Sequence, residues 1–195
     1  MTATSELMAT VLDEPGDAFA SNRRHWQGIP ALERAASGRL WAAWYTGGEG
    51  EGPGNHVVVV TSEDDGKRWS EPVIAAVPPD GGRCYDPCLW LDPTDRLWLF
   101  WAHCAGESFW DGRGGVWCVT TAEPGSAKPR WTAPRRLFNG VMMNKPTVLS
   151  TGEWLAPAAV WSHADPRLPE LAAERFSNAW VSTDGGAVWR RRGGS

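Results

Sequence analysis

The chain has 195 residues, among them 14 tryptophans, 22 glycines and 15 prolines, and a formal net charge of −4. That length can bury one sizeable core. The acidic balance argues against a nucleic-acid partner, which requires clustered positive charge, and no apolar run approaches the ~20 residues of a membrane span.

Met1 to Trp26 contains no apolar stretch flanked by basic residues. The cytoplasm is therefore the expected compartment, with secretion left open. The four cysteines, Cys84, Cys88, Cys104 and Cys118, are too few for a disulfide scaffold. Cys104 and Cys118 could meet across a hairpin, but buried free thiols are expected in this compartment. Cys84-x-x-x-Cys88 with His103 lacks the paired spacing of a zinc site, so neither metal nor cofactor is expected.

Residues 1–24 are polar and read as a lead-in tail or strand. From residue 25 to 195 three similar units follow, at about 25–80, 81–140 and 141–192. The first holds Ile29 to Leu32, Leu40 to Trp44 and His56 to Val60. The second holds Cys88 to Leu91, Leu97 to Trp101 and Gly115 to Val119. The third holds Pro146 to Leu149, Trp154 to Ala158 and Phe176 to Val181. These runs are short, rich in Val, Trp and Thr, and bounded by Gly, Pro and Asp, which predicts strands. A weaker fourth strand is expected at Val73-Ile74 and at Arg136 to Phe138. None is expected in the third unit, where Arg190-Arg191-Arg192 reads as a solvated tail or cut strand. The one helical window, Leu168 to Arg175, is short.

Two phrases recur in register. Gly38-Arg39-Leu40-Trp41 is answered by Asp95-Arg96-Leu97-Trp98 and, more loosely, by Gly152-Glu153-Trp154-Leu155, at intervals of 57 residues. Ser62-Glu63-Asp64-Asp65-Gly66-Lys67-Arg68-Trp69 shares the frame Ser-x-Asp-x-Gly-x-x-Trp with Ser182 to Trp189, while the middle unit reaches Trp131 only after extra residues. The Asp can cap a turn, the Gly can supply positive φ, and the Trp can lock the hairpin. The phrase is thus read as structural. A repeat of this length, built of antiparallel strands, predicts radially arranged four-stranded blades.

The Ser-x-Asp-x-Gly-x-x-Trp phrase resembles the Asp box of sialidase-type (neuraminidase superfamily, BNR-repeat) β-propellers. Ile29-Pro30-Ala31-Leu32 before Gly38-Arg39-Leu40-Trp41 likewise resembles a first sialidase blade. The likeness runs over about residues 27 to 192. It implies an all-β, sialidase-type propeller, six-bladed in the full-length family, with about three blades in this chain. By that resemblance the chain reads as a fragment, or as half of a ring completed by self-association through open blade faces. The implied activity is that of an exo-acting glycoside hydrolase on an acidic or deoxy sugar of a glycan. The family's first substrate-binding arginine falls at Gly28, which argues against authentic sialidase activity, since carboxylate recognition there depends on guanidinium geometry. A non-catalytic carbohydrate-binding propeller, a polysaccharide lyase and a scaffold remain alternatives.

In a propeller the entries to the first strands form one face of the channel. The matching positions are Gln27-Gly28, Tyr85-Asp86 and Asn144-Lys145, each shortly before a proline. Asp86 is read as an acid or base, with Glu49 as a catalytic partner. Tyr85, His103, Trp110, Asp111, Arg113, Asn144 and Lys145 are read as substrate-binding. Trp110 offers a flat surface for a sugar ring, and Arg113 a group for a carboxylate. Loop residues Glu51, His56, Glu107, His163, Asp165 and Arg175 fall on the same face.

Overall fold

Short strands separated by glycine- and proline-containing turns gather into three antiparallel sheets. The structure is a computed structural model that describes residues 8–79, 81–104, 112–161 and 169–195. The first sheet contains β1 (Thr10–Asp13), β2 (Gln27–Arg34), β3 (Leu40–Thr46), β4 (His56–Ser62) and β5 (Ile74–Val77), in the order β1-β5-β4-β3-β2. The second contains β6 (Arg83–Leu91), β7 (Leu97–Cys104), β8 (Gly115–Thr121) and β9 (Arg135–Phe138) in sequence order. The third contains β10 (Thr147–Val148), β11 (Trp154–Ala159), β12 (Ser177–Ser182) and β13 (Arg190–Gly194), also in sequence order. These are three blades of a sialidase-type β-propeller.

Two segments that the sequence leaves open between tail and strand are strands. The lead-in supplies β1, which pairs antiparallel with β5 and widens the first blade to five strands. The third blade also has its fourth strand: Arg190 to Arg192 belong to β13, which pairs with β12. Its residues are exposed, so no hydrophobic alternation marks them in the sequence. Arg192 is tied instead to Glu153, and Arg191 donates to the Ala173 carbonyl. The helical window becomes a 3-10 segment at Pro169–Glu174.

Alternation along the strands assigns each side chain to one side of its blade. Trp41, Ala43 and Tyr45 of β3 join Leu97, Leu99 and Trp101 of β7 in a core between the first two blades. Trp98 and Phe100 join Trp154, Ala156 and Ala158 in a second core between the second and third. Every residue of β7 is buried, because it has a blade on each side. The looser third copy of the Leu-Trp phrase now has a meaning. Trp154 lies opposite Ser182, as Leu40 lies opposite Ser62 and Leu97 opposite Thr121. The order Trp-Leu, not Leu-Trp, turns the indole back toward Trp90 and Trp98.

The two copies of the turn phrase have the same hydrogen bonding. Ser62 Oγ donates to Asp64 Oδ1 and accepts from Gly66 N, and Asp64 Oδ1 accepts from Arg68 N at 2.9 Å. Ser182, Asp184, Gly186 and Val188 repeat this, again with 2.9 Å for the last bond. These turns also join blades. Arg96 donates to the Gly185 carbonyl, and Arg135 donates to the carbonyls of Gly186 and Ala187. At the first junction Arg39 and Trp41 donate to Gly125 and Pro124 of the broken middle phrase.

The four cysteines are free. Cys118 lies opposite Phe100, and Cys104 opposite Arg83. The two thiols belong to different cores, so no hairpin brings them together.

Gly66 and Gly186 both have φ near +80°, yet their surroundings differ. A Cβ at Gly66 would meet only ordinary contacts, whereas at Gly186 it would fall 2.7 Å from Trp98 and 2.9 Å from Trp154. Gly66→Ala should cost about 1 kcal/mol, from backbone conformation alone. Gly186→Ala should cost roughly 1–3 kcal/mol more, because the blade junction is overpacked as well. Urea denaturation of the two variants tests this; equal losses would show that the junction gives way freely.

Candidate functional site

Both inner hairpins of the first two blades are interrupted at the same level. In β2 the register passes from Gln27–Thr46 to Pro30–Trp44, so Gly28 and Ile29 together face Tyr45. In β6 it passes from Tyr85–Ala102 to Cys88–Phe100, so Asp86 and Pro87 together face Trp101. Such two-against-one bulges re-aim a side chain. Pro30 and Pro87 lack the N–H that a regular ladder needs there. Asp86 has φ 46°, in the left-handed region. A non-glycine residue held there stores backbone strain, which concentrates at functional sites.

Around Asp86 the two hairpins bring together Tyr45, Glu51, Arg83 and Tyr85. The Tyr45 hydroxyl donates to Glu51. The Arg83 guanidinium lies 3.8 Å from Glu51, 4.3 Å over the Tyr85 ring and 5.5 Å over the Tyr45 ring. Trp26 packs edge-on against Tyr45. Burial pushes the Asp86 carboxyl up to about 6; the positive charge of Arg83 opposes the shift, and the negative charge of Glu51 adds to it. Burial also raises the Tyr45 phenol well above its ordinary range. The Glu51 hydrogen bond and the charges of Asp86 and Glu51 raise it further, against Arg83. Tyr45 is thus a hydrogen-bond donor at every physiological pH. Asp86 is only 4 % exposed, while the Glu51 side chain is 40 % exposed and forms the cluster's edge toward solvent.

The loop that carries Glu51 is held by Asn55. Its side-chain oxygen accepts from Gly52 N, and its amide donates to the carbonyls of Gly47 and Gly50. The loop is then stapled to the second blade by Gly54 N to Gly82 O and Cys84 N to Asn55 O, both 2.8 Å. Glu51 therefore stands beside Arg83 because the backbone on both sides of it is fixed.

The sequence-derived candidates divide. Tyr85 and Asp86 are in the cluster. Glu49 is exposed on the loop, and Glu51 is the carboxylate that reaches Tyr45. His103 is buried, with Nδ1 3.5 Å from Cys84 Sγ and its ring tilted against Trp117. Burial, aided by the charge of Arg136, lowers it to about 4, so it is neutral at pH 7. Arg113 is exposed, and its carbonyl accepts from Arg136. Asn144 is exposed and accepts from the Lys145 backbone N–H. Lys145 donates to Glu33 at 2.9 Å, and Glu33 also accepts from Leu91 N, at the opposite end of β6 from Asp86. The structure does not pair Asp86 with Lys145. Trp110 and Asp111, like Glu107, His163 and Asp165, lie outside the described residues. Among the described residues no group of three or more His, Cys, Asp or Glu could hold a metal ion.

Arg83, Tyr45 and Asn55 were not singled out in the sequence. Arg83 is three residues before Asp86 on the same strand, and its pairing with the far loop depends on two blades meeting. Gly28 gains a reason as well. A Cβ there would lie within 2.7 Å of three atoms of the Tyr45 ring. Where the resemblance would place an arginine, this protein has an aromatic ring in the space its side chain would need.

Three of the solved structures similar to the chain illustrate the likeness. A protein of unknown function from Dyadobacter fermentans has a TM-score of 0.61 at 16% identity, over 89% of this chain and 55% of that one. The K499G mutant of NanB sialidase from Streptococcus pneumoniae has 0.61 at 12% identity, over 94% and 46%. The Trypanosoma rangeli sialidase in complex with 2,3-difluorosialic acid has 0.60 at 18% identity, over 86% and 30%. The chain spans between about a third and a little over half of these proteins. No curated protein matches the sequence. At these identities the likeness establishes the fold, not the chemistry. The sequence itself matches the BNR repeat-like domain over residues 38–195, and the chain therefore belongs to that family.

Proposed function

We propose that this protein is part of a glycoside hydrolase acting on an acidic glycan, with Asp86 as its general acid and base. The observation that carries the reading is Asp86 itself: a buried carboxyl on strained bulge backbone, beside a guanidinium, with its proton affinity near neutrality. A carboxyl that titrates at about 6 can hold a proton for a leaving glycosidic oxygen and give it up at the operating pH. Glu51 is the second carboxylate; it accepts the Tyr45 hydroxyl and faces Arg83. Arg83 supplies positive charge in a site of low polarity, where it acts strongly on an anionic sugar or on charge developing in the transition state. The similarity to sialidase structures supports a glycan as the partner. Gly28 weighs against sialic acid as the sugar, since Tyr45 leaves no room there for an arginine.

Turnover should be sought on aryl glycosides and acidic oligosaccharides. Asp86→Asn should lower kcat by about 10²–10⁴, the usual worth of general acid–base catalysis. Unchanged turnover would remove Asp86 from the mechanism, and ligand binding with no product would favour a binding protein instead.

Asp86 also predicts a stability profile. Its folded pKa of about 6 lies above the ~3.9 of an unfolded aspartate. The folded state thus holds the proton more tightly, and the slope of stability with pH is negative between about 4 and 6. This contribution is fully present below about pH 4 and lost as pH rises through 6, a change of about 2–3 kcal/mol. Asp64, Asp184 and Glu123 have lowered pKa values and act in the opposite sense. The quantity to measure is therefore the difference between wild type and Asp86→Asn in urea denaturation from pH 4 to 7. Wild type should lose ground steadily across that range; a flat difference would contradict the raised pKa.

A further inference from the structure

We infer that Gly28 and Tyr45 are positioning residues for the Asp86 site: the missing side chain at 28 admits the Tyr45 ring, and the ring's hydroxyl sets Glu51 beside Arg83 and Asp86. The inference rests on the reading of Asp86 as the acid only in its activity readout.

The steric part is local. Gly28 lies opposite Tyr45 in the β2–β3 bulge, and a Cβ at 28 would fall within 2.7 Å of three Tyr45 ring atoms. No real side chain tolerates such a contact, so the ring or the strand would have to move. The ring has little freedom to move. Trp26 stands edge-on to it at 5.1 Å, Tyr85 lies at 6.4 Å, and Arg83 lies over its face.

The polar part continues from the ring. Tyr45 donates to Glu51, and Glu51 faces Arg83. Three charged or titratable groups from three elements thus bear on Asp86: Tyr45 from β3, Glu51 from the Asn55 loop and Arg83 from β6. Cys88 is a fourth neighbour, whose thiol burial and the Asp86 charge keep neutral. With the hydroxyl gone, Glu51 loses its tether at the solvent edge, and Arg83 is left with Asp86 as its nearer carboxylate. The Asp86 proton is then held less tightly.

The experiment is a titration of the Asp86 carboxyl by carbon-13 NMR, with Asp86→Asn identifying the signal. It is run on wild type, Tyr45→Phe and Gly28→Ala. Tyr45→Phe keeps the ring and removes only the donor, so it should fold. Its Asp86 midpoint should fall by at least half a pH unit, and the acid limb of any activity profile should move with it. Gly28→Ala should shift the same midpoint and lower thermal stability. If Gly28→Ala does not fold, Gly28→Ala/Tyr45→Ala removes the clash, and it should regain stability without regaining the wild-type midpoint. An Asp86 midpoint within 0.2 unit of wild type in folded Tyr45→Phe would overturn the inference. So would a Gly28→Ala protein as stable as wild type. Activity retained in Asp86→Asn would sink the catalytic reading alone, because the titration is read without turnover.

Discussion

The burial of β7 on both faces is the constraint from which the rest of the architecture follows. A strand in a two-layer protein buries alternate residues, but β7 has a core on each side, one with Trp41 and Tyr45 and one with Trp154. Its sequence, Leu-Trp-Leu-Phe-Trp-Ala-His-Cys, is accordingly apolar almost without interruption. Large rings on both faces set the spacing of the neighbouring blades. The indole of Trp98 is satisfied by the buried carboxylate of Asp92, which also accepts from Thr94 and Arg96. That single aspartate closes the β6–β7 turn and orients Arg96 toward the turn of the next blade. Packing between blades and hydrogen bonding within them are therefore coupled at one residue.

The candidate site uses the same junction at its other end. Where Trp41 and Arg96 hold blades together through turn carbonyls, Glu51 and Arg83 hold them together through charge, with Tyr45 donating to Glu51. Such a cluster is costly to bury unless it is well paired. The chain meets that cost with Asn55 side-chain bonds on both sides of Glu51 and with backbone staples at Gly54 and Asn55. The positive φ of Asp86 adds backbone strain that the bulge of Gly28 and Ile29 in β2 does not carry. Strain on the same residue as a buried carboxyl is a stronger pointer to chemistry than either the bulge or the carboxylate alone.

The fold was legible because it is periodic: tryptophan and glycine recur at fixed offsets, and each recurrence is a turn or a junction. Asp86 and Tyr85 were legible for the same reason, as residues just before a proline in matching places. The reading failed where the cluster depends on a second blade. Glu49 and Glu51 are two residues apart on one glycine-rich loop, and only the Asn55 hydrogen bonds decide which of them turns inward. Lys145 looked like the counterpart of Asp86 by its place before Pro146, but its amino group pairs with Glu33 instead. The fourth strand of the third blade was missed because arginines and glycines carry no hydrophobic signal. Its pairing is dictated by β12, not by its own side chains.

Gly28 shows how the loss of one side chain can be structural and chemical at once. A glycine in a strand interior weakens the strand unless something uses the space it leaves. Here the space is filled by Tyr45, whose ring could not lie against β2 if residue 28 had any Cβ. An arginine at that position would project its charge into the channel from the first blade. With tyrosine in its place, the nearby positive charge is Arg83, which enters from the second blade and is shared with Glu51. On the proposed reading, a ligand anion would compete with Glu51 for the Arg83 guanidinium. That competition favours a weakly held or transient anionic group over a permanent carboxylate clamped in the ground state, and charge that appears only in the transition state is the kind a catalyst gains most from binding.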